Sequence, residues 1–330
     1  MSRLKDRLTE ENIIQCELIN KILQEKIYEI DKPEHMVLDL DSTNLSTYGK
    51  QEDSEYNYHY KARGYHPLMM FNGLNGDLLK VELRKGSCYT SNGVVKFVED
   101  YLKMQSKEYV GVQKLIRGDS GFAVPELYEL AEENDMFFCI RLKANAKLYK
   151  KVEWLSNEIL EESKDENEYI CRFDEFYYKA DSWKKERKVV VKIEKIPNEN
   201  ALKYMFITTN MDMLAKDIVS VYCNRGKMEN FIKECKNGFG FNKMSNRSFI
   251  ANANKLQQLM LAYNLVNWFK RLCFSSKNKK MQIGTIRTKL FKIGARIVKS
   301  SRKSVIKMSS SYPYVNEFLS IMNKIECLQV

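Results

Sequence analysis

The chain has 330 residues, of which 44% are apolar, and its 54 Lys and Arg exceed its 43 Asp and Glu to give a formal net charge of +11. This length and composition are enough for one large domain with an insertion, or for two domains. No apolar run approaches the roughly 18 residues of a membrane span, and no signal-peptide pattern opens the chain. The eight Cys residues form no Cys-x-x-Cys pair, which argues against a zinc site and favours reduced thiols in the cytoplasm.

The hydrophobic periodicity predicts alternating strands and helices along most of the chain. Apolar residues at helical spacing over 2–30 predict a helix pair, and Asn75-Gly76 is typical of a hairpin turn. Three short strands are expected in the polar stretch 147–210, followed by a long helix over 249–272 and a basic tail from 273. The predicted elements between residues 36 and 143 are strands over 36–43, 65–74, 77–84, 110–118 and 136–143, with helices over 91–105 and 124–134. Periodicity by itself therefore predicts a mixed α/β fold.

The basic residues are concentrated near the C-terminus. Residues 237–330 contain 17 Lys and Arg but only two acidic residues, Glu317 and Glu326. Such a concentration of basic residues in one part of the sequence favours a polyanionic partner. An anionic membrane surface would suit the charge equally well, but no other feature of the sequence suggests one.

A polar stretch two-thirds of the way along the chain, residues 222–236, combines unlike charged groups. If this stretch is helical, Tyr222, Arg225, Glu229 and Lys236 share one narrow arc of its surface. A solvated charged face is one interpretation. The other is a site for phosphate and a metal ion, since Arg, Tyr and Lys bind phosphates and a single carboxylate among cations is a candidate metal ligand.

The spacing of these four residues resembles the signature helix of DDE transposases from bacterial insertion sequences, in which the Glu is the last of three catalytic carboxylates. Asp41, at the end of an alternating strand and followed by Ser-Thr, resembles the first carboxylate of that family. Asp119, between a strand and a Gly-containing turn, resembles the second. The blocks Gly49–Glu52 and Gly64–Pro67 also resemble the family, so the likeness extends from about residue 36 to residue 270.

The resemblance implies an α/β fold with an RNase H-like mixed sheet flanked by helices and a β-rich insertion before the last catalytic helix. On this basis the chain divides into an N-terminal helical segment, two parts of a catalytic core separated by the insertion, and a basic C-terminal region. The expected bounds are 1–34 for the segment, 35–146 and 211–272 for the core, 147–210 for the insertion and 273–330 for the basic region.

The resemblance also implies the chemistry. Asp41, Asp119 and Glu229 would bind two Mg²⁺ ions, for which Mn²⁺ can substitute, and would catalyse cleavage and strand transfer of double-stranded DNA in cut-and-paste transposition. In the family a hairpin intermediate accompanies this chemistry. The protein would act in the cytoplasm at the nucleoid, as a homodimer when two element ends are synapsed.

Four further residues are implied to bind DNA. Tyr222, Arg225 and Lys236 would hold phosphates near the cut. Trp183, in a polar segment of the insertion, has two interpretations: it caps its own hairpin, or it stacks on a base drawn from the duplex as an insertion-domain Trp does in the family.

Several alternatives stay open from the sequence. Asp39 shares a strand face with Asp41, so either could be the ligand and the other a hydrogen-bonding bystander. Only 40 residues precede Asp41, and they contain no helix-turn-helix pattern, so the chain is expected to lack the DNA-binding domain that relatives carry there. A non-catalytic DNA-binding remnant and a general RNase H-like nuclease are therefore the alternative functions.

Overall fold

The computed structural model describes residues 7–105, 109, 111–163, 167–199, 201–300, 303–309 and 311–328. Its strands, in chain order, are β1 (His35–Ser42), β2 (Leu45–Ser46), β3 (Glu55–Asn57), β4 (Ala62–Tyr65), β5 (Leu68–Asn72), β6 (Leu78–Glu82), β7 (Gln113–Gly118), β8 (Phe137–Leu142), β9 (Ile170–Tyr178), β10 (Arg187–Lys195), β11 (Lys203–Thr209), β12 (Ala295–Ser300) and β13 (Lys303–Met308).

The helices lie between these strands and after them. They are α1 (Glu10–Ile30), α2 (Val94–Met104), α3 (Pro125–Glu133), α4 (Ala146–Lys151), α5 (Glu153–Glu162), α6 (Ala215–Cys223), α7 (Lys227–Phe239), α8 (Phe249–Cys273), α9 (Ile283–Ile286) and α10 (Val315–Cys327). Short 3₁₀ turns follow β7 and join α6 to α7. Over the ranges described above, no helix combines the length and the apolarity that crossing a membrane requires.

Eight strands form one mixed sheet in the order β6-β5-β1-β7-β8-β11-β10-β9. Strands β1, β7 and β8 run parallel, β5 pairs antiparallel with β1, and β6 pairs antiparallel with β5. This is an RNase H-like sheet flanked by helices, as the sequence predicts. Strands β9, β10 and β11 continue the same sheet, because β11 pairs with β8.

The N-terminal region and the segment around residues 43–67 differ from the sequence prediction. Among the described residues of the predicted helix pair, 7–30, the structure has the helix α1, and residues 2–6 of that prediction lie outside the described residues. The strand predicted over 65–74 is divided into β4 and β5 by Pro67, which has no N–H for a sheet ladder. Strand β4 belongs instead to a small three-stranded sheet with β2 and β3, which the sequence pattern does not reveal.

The sheet separates two layers of helices, and β1 shows how its residues divide between them. Leu38 and Leu40 lie in the core that includes α2 and α3. Val37 packs on the opposite side, with residues of α6. Because side chains alternate along a strand, Asp39 and Asp41 share the α6 side with Val37. The two acidic positions of β1 therefore face α6, the helix that carries Tyr222 and precedes the other predicted signature residues.

Helix α8 protects the edge strand β6. The side-chain amide of Asn264 bonds both the N–H and the carbonyl oxygen of Leu78, at 2.9 and 2.8 Å. Gln257 donates to the carbonyl oxygen of Val81 at 2.8 Å. Unpaired backbone groups at a sheet edge invite pairing with other chains, so these amides both satisfy the edge and fix α8 on the sheet.

A buried ion pair joins the sheet to α6. Asp39 on β1 and Arg117 on β7 form two hydrogen bonds of 2.6 and 2.7 Å, and both side chains are almost completely buried. The remaining guanidinium nitrogen of Arg117 donates to the carbonyl oxygen of Val221 at 2.5 Å. Gly73 leaves the space for the pair, since a Cβ there would overlap both charged groups. The pair therefore fixes the C-terminal end of α6 over the two strands.

Replacement of one member of this pair is expected to be strongly destabilising. Asp39→Asn leaves Arg117 buried without a counter-charge, which costs about 3–5 kcal/mol. Urea denaturation measures the loss of unfolding free energy. The double variant Asp39→Leu with Arg117→Met removes both charges and is expected to recover part of the stability. Equal instability of the single and double variants would contradict this account.

Candidate active site

Asp41 and Asp119 meet at one edge of the sheet. The parallel strands β1 and β7 end at the same edge, and Asp39 pairs in register with Arg117, so Asp41 is level with Asp119 two residues further on. Both aspartates line an open cleft of about 600 Å³. Lys143, directly after the third parallel strand β8, lines the same cleft.

Local hydrogen bonds hold one oxygen of each aspartate. Oδ1 of Asp119 accepts from the backbone N–H of Gly121 at 2.8 Å, where the chain turns into a 3₁₀ helix. Oδ1 of Asp41 accepts from the N–H of Ser42 at 2.8 Å. Oδ2 of Asp41 lies 3.3 Å from Nη2 of Arg225. These contacts orient the two carboxylates at the bottom of the cleft.

The environment of Asp41 disfavours its ionised form. Burial raises the pKa of Asp41 to about 6, and the negative charges of Asp119 and Glu229 act in the same direction. Arg225 and the N–H of Ser42 oppose this shift without cancelling it. Negative charges close enough to raise the pKa of Asp41 would also favour a bound cation there, and a set of oxygen ligands suits Mg²⁺.

The predicted signature helix is interrupted in the structure. Helix α6 ends at Cys223, residues Asn224–Gly226 form a 3₁₀ turn, and α7 begins at Lys227. Arg225 nevertheless reaches β1, because its Nη2 donates to the carbonyl oxygen of Leu40 at 3.0 Å. Lys236 reaches the residues after β1, where its Nζ donates to Oγ1 of Thr43 at 2.5 Å. Two cations of the stretch therefore bracket the carboxyl end of β1.

Burial and neighbouring charges shift the pKa values of Arg225, Lys236 and Tyr222 in different directions. Burial acts to lower the pKa of Arg225, but the carboxylates of Asp41 and Asp119 outweigh it and raise that pKa. Burial lowers the pKa of Lys236. Tyr222 is buried in the layer between α6 and the sheet, and burial raises its pKa while Arg225 lowers and Asp119 raises it. All three side chains thus lie within electrostatic reach of the aspartates.

Glu229 is placed at the margin of this group. It is exposed in the first turn of α7, and its charge contributes to the pKa of Asp41. Within the part of the chain that the structure describes, however, no three acidic, His or Cys side chains are close enough to hold a metal ion. The structure therefore brings Asp41 and Asp119 together, and leaves Glu229 nearby without a direct contact.

The insertion residue Trp183 does not offer a stacking surface. Its side chain is only 5% exposed and makes edge-on contacts with the rings of Tyr128 and Tyr178. The guanidinium of Arg187 lies 5.5 Å from its ring centre. A ring inside the core has no free face, so this structure lends no support to the prediction that Trp183 stacks on a displaced base. Packing on its own strands, the alternative interpretation, is what the structure shows.

Two other acidic residues are explained by their partners. Asp39 is committed to Arg117, so it is a structural residue and Asp41 is the candidate ligand. Glu234, another acidic residue of α7, is partly buried. It accepts from the N–H of Ile283 at 3.0 Å and lies 3.7 Å from the Lys270 ammonium group.

Sequence reasoning missed two residues of the cleft. Tyr60 donates its hydroxyl to the carbonyl oxygen of Ser42 at 3.1 Å, and burial together with Asp41 and Asp119 raises its pKa to about 12. No sequence signal places Tyr60 there, because a loop carries it. Lys143 could have been found, since the end of β8 lies at the same sheet edge as the ends of β1 and β7.

The fold and the paired aspartates define a class of enzyme that acts on polynucleotides, and comparison with known families identifies it. The family described as transposase DDE domain, group 1, matches residues 1–330. The chain therefore belongs to this family of DDE transposases. No curated protein sequence gives a significant match to the chain.

The raised pKa of Asp41 predicts how Asp41→Asn changes stability with pH in metal-free buffer. Between the ordinary pKa of an Asp side chain, about 4, and a pH of about 6, Asp41 keeps its proton in the folded chain but has released it in the unfolded chain. The unmodified protein therefore loses this stabilising contribution as the pH rises from about 4 through about 6, and the variant does not. Denaturation in EDTA at several pH values measures the difference in unfolding free energy.

The expected result is that the variant gains stability relative to the unmodified protein on going from acid to neutral pH. Asp212→Asn, at an exposed position outside the cleft, is the matched control and should show a constant difference. A pH-independent difference for Asp41→Asn would refute the assignment.

Proposed function

We propose that the protein catalyses metal-dependent cleavage and strand transfer of double-stranded DNA in cut-and-paste transposition, with Asp41, Asp119 and Glu229 as its catalytic carboxylates. The observation that carries this proposal is the meeting of Asp41 and Asp119 at the carboxyl ends of adjacent parallel strands in one open cleft. Family membership supports the general activity.

The carboxylates are assigned to metal binding. Asp41 and Asp119 already share the cleft, and Glu229 completes the set when its exposed side chain turns from the first turn of α7 toward Asp41. Two bound Mg²⁺ or Mn²⁺ ions would supply Lewis-acid activation of the attacking oxygen and stabilisation of the leaving oxygen. Neutralisation of the three carboxylates also relieves the repulsion that raises the pKa of Asp41.

The remaining residues of the site hold the DNA strand. Arg225, Lys236 and Tyr222 are assigned to phosphate oxygens near the cut; Arg225 and Lys236 are bonded to residues at the end of β1. In the first step a water oxygen attacks phosphorus, the bond to the 3′ oxygen breaks, and a 3′-hydroxyl and a 5′-phosphate result. In the second step that hydroxyl attacks another phosphodiester and displaces its 3′ oxygen. Joining two element ends in this way requires two active sites, hence a homodimer on DNA.

The proposal is tested by a Mg²⁺- or Mn²⁺-dependent nicking and joining assay. The unmodified chain is expected to give metal-dependent nicked and joined products, and Asp119→Ala and Glu229→Ala are expected to lose them by at least about 100-fold, because loss of a metal ligand removes Lewis-acid stabilisation of the transition state. Asp212→Ala, which removes an exposed acidic residue outside the cleft, is the control and should retain activity.

Other outcomes of this assay correspond to the alternative functions. Cleavage without joining would point to a general RNase H-like nuclease. DNA binding without cleavage by any of the proteins, even on pre-nicked ends, would point to a non-catalytic remnant. The observation that favours the remnant is the position of Glu229, which lies outside contact with the two aspartates in this structure.

The C-terminal hairpin β12–β13 is proposed to contact the DNA backbone. It forms a separate two-stranded sheet, and Arg296 lies directly opposite Lys307 in it. Alternation along the strands places Lys303 on the same face. Like charges in a cross-strand pair are destabilising, so a phosphate backbone beside this face would relieve their repulsion.

The double variant Arg296→Gln with Lys307→Gln is expected to weaken binding to duplex DNA of any sequence. The slope of log affinity against log salt concentration should become shallower by about 2, because roughly one counterion is released for each phosphate contact. Fluorescence anisotropy over a range of salt concentrations measures the slope. Lys150→Gln with Lys151→Gln removes two exposed charges from α4 and serves as the control. Equal slopes for both double variants would refute a specific role for the hairpin.

A further inference from the structure

Exposed tyrosines form one wall of the cleft that contains Asp41 and Asp119. Tyr56 and Tyr58 come from β3 and the turn after it, and Tyr89 comes from the loop after β6. Their exposed fractions are 47%, 86% and 65%. The rings of Tyr56 and Tyr58 are in edge-on contact, with centres 5.2 Å apart. We call these three residues the tyrosine wall.

The turn that carries Tyr58 is fixed to the site. Oδ1 of Asn57 accepts from the N–H groups of His59 and Tyr60 at 3.0 and 3.2 Å, and its Nδ2 donates to the carbonyl oxygen of Gly86 at 2.8 Å. The hydroxyl of Tyr60 donates to the carbonyl oxygen of Ser42, the residue after Asp41. The backbone of this turn is thus anchored to the end of β1 by buried and partly buried hydrogen bonds.

Exposed, fixed aromatic rings beside a phosphoryl-transfer site restrict the class of ligand. Aromatic side chains stack on any nucleobase, because every base has a π face, but only a base that is not paired exposes it. Lys143, which lines the same cleft, supplies a positive charge for the backbone of such a strand. A second copy of the chain would also cover exposed rings, but the same cleft contains the charged groups of Asp41, Asp119 and Lys143. Charged residues are depleted at the centre of protein–protein interfaces, so the lining favours a nucleic-acid strand.

We propose that the tyrosine wall binds unpaired nucleobases next to the phosphate at which the strand is cut. This inference rests on the proposed function, and it assigns a base-binding role to a segment outside the signature stretch. It also replaces the buried Trp183 as the stacking surface of this protein. Tyr58, the most exposed of the three rings, is expected to carry most of the interaction.

The test is a binding measurement in EDTA, where no metal-dependent cutting occurs. The probes are a fully paired duplex and the same duplex with three unpaired bases at one end, one of them 2-aminopurine, whose fluorescence is quenched on stacking. The unmodified protein should bind the frayed probe about tenfold more tightly than the paired one. Tyr58→Ala should lose this preference and the quenching, while its affinity for the paired duplex stays the same.

Two further variants make the result specific. Tyr58→Phe retains the ring and should keep both the preference and the quenching. Tyr177→Ala removes a tyrosine of similar exposure from β9 and should behave as the unmodified protein. If Tyr58→Ala keeps the preference for the frayed probe, or weakens both probes equally, the inference is wrong. It is also wrong if Tyr58→Ala abolishes self-association in sedimentation without changing either affinity, since the rings would then cover a second copy.

The two proposals fail separately. If the protein never cuts DNA but still quenches the 2-aminopurine of the frayed probe, the base-binding role of the tyrosine wall is supported and the proposed catalytic function is refuted. Metal-dependent cutting by a protein without base-dependent quenching would do the reverse.

Discussion

The contact on which the site depends is the buried pair of Asp39 and Arg117. It joins β1 to β7 and, through the carbonyl oxygen of Val221, joins both strands to the end of α6. Two residues after Asp39 on β1 comes Asp41, and two residues after Arg117, just past the end of β7, comes Asp119. One ion pair therefore sets the level of the two candidate ligands, and it also sets where the chain leaves α6 to carry Arg225 and Glu229.

The two carboxylates on β1 differ in their partners. Asp39 has a fixed cation inside the protein, and removal of that cation would leave a buried charge without compensation. Asp41 has only a partial counter-charge in Arg225 and lines the open cleft. Burial raises the pKa of both carboxyl groups, so their geometry and not their pKa separates them. Asp39 has its oxygens bound by Arg117, whereas Asp41 is accessible to a cation from the cleft.

The sequence predicted what depends on local pattern. Period-two alternation before Asp41, and a strand followed by a Gly-containing turn after Asp119, identify strand ends without knowledge of the tertiary fold. The RNase H-like arrangement of the strands, in contrast, came from the family resemblance, because periodicity alone indicates only a mixed α/β fold. The helix break at Asn224–Gly226 was not predicted, since Arg225 and Lys236 are held by contacts with β1 that are distant in sequence.

Aromatic residues show why the rest of the site could not be predicted from the sequence. Trp183 lies in a polar stretch and is buried, whereas Tyr58 lies in a similar polar stretch and is almost fully exposed. The difference arises from their neighbours: Tyr128, Tyr178 and Arg187 pack around the indole ring, while the phenol ring of Tyr58 lies on a turn held by Asn57 and stays exposed. Composition around each residue is alike, and only the packing of β3, β4 and the insertion strands decides which ring can meet a ligand. Exposure of a fixed ring beside Asp41 is therefore the more informative feature, and it assigns base contact to the β3–β4 turn.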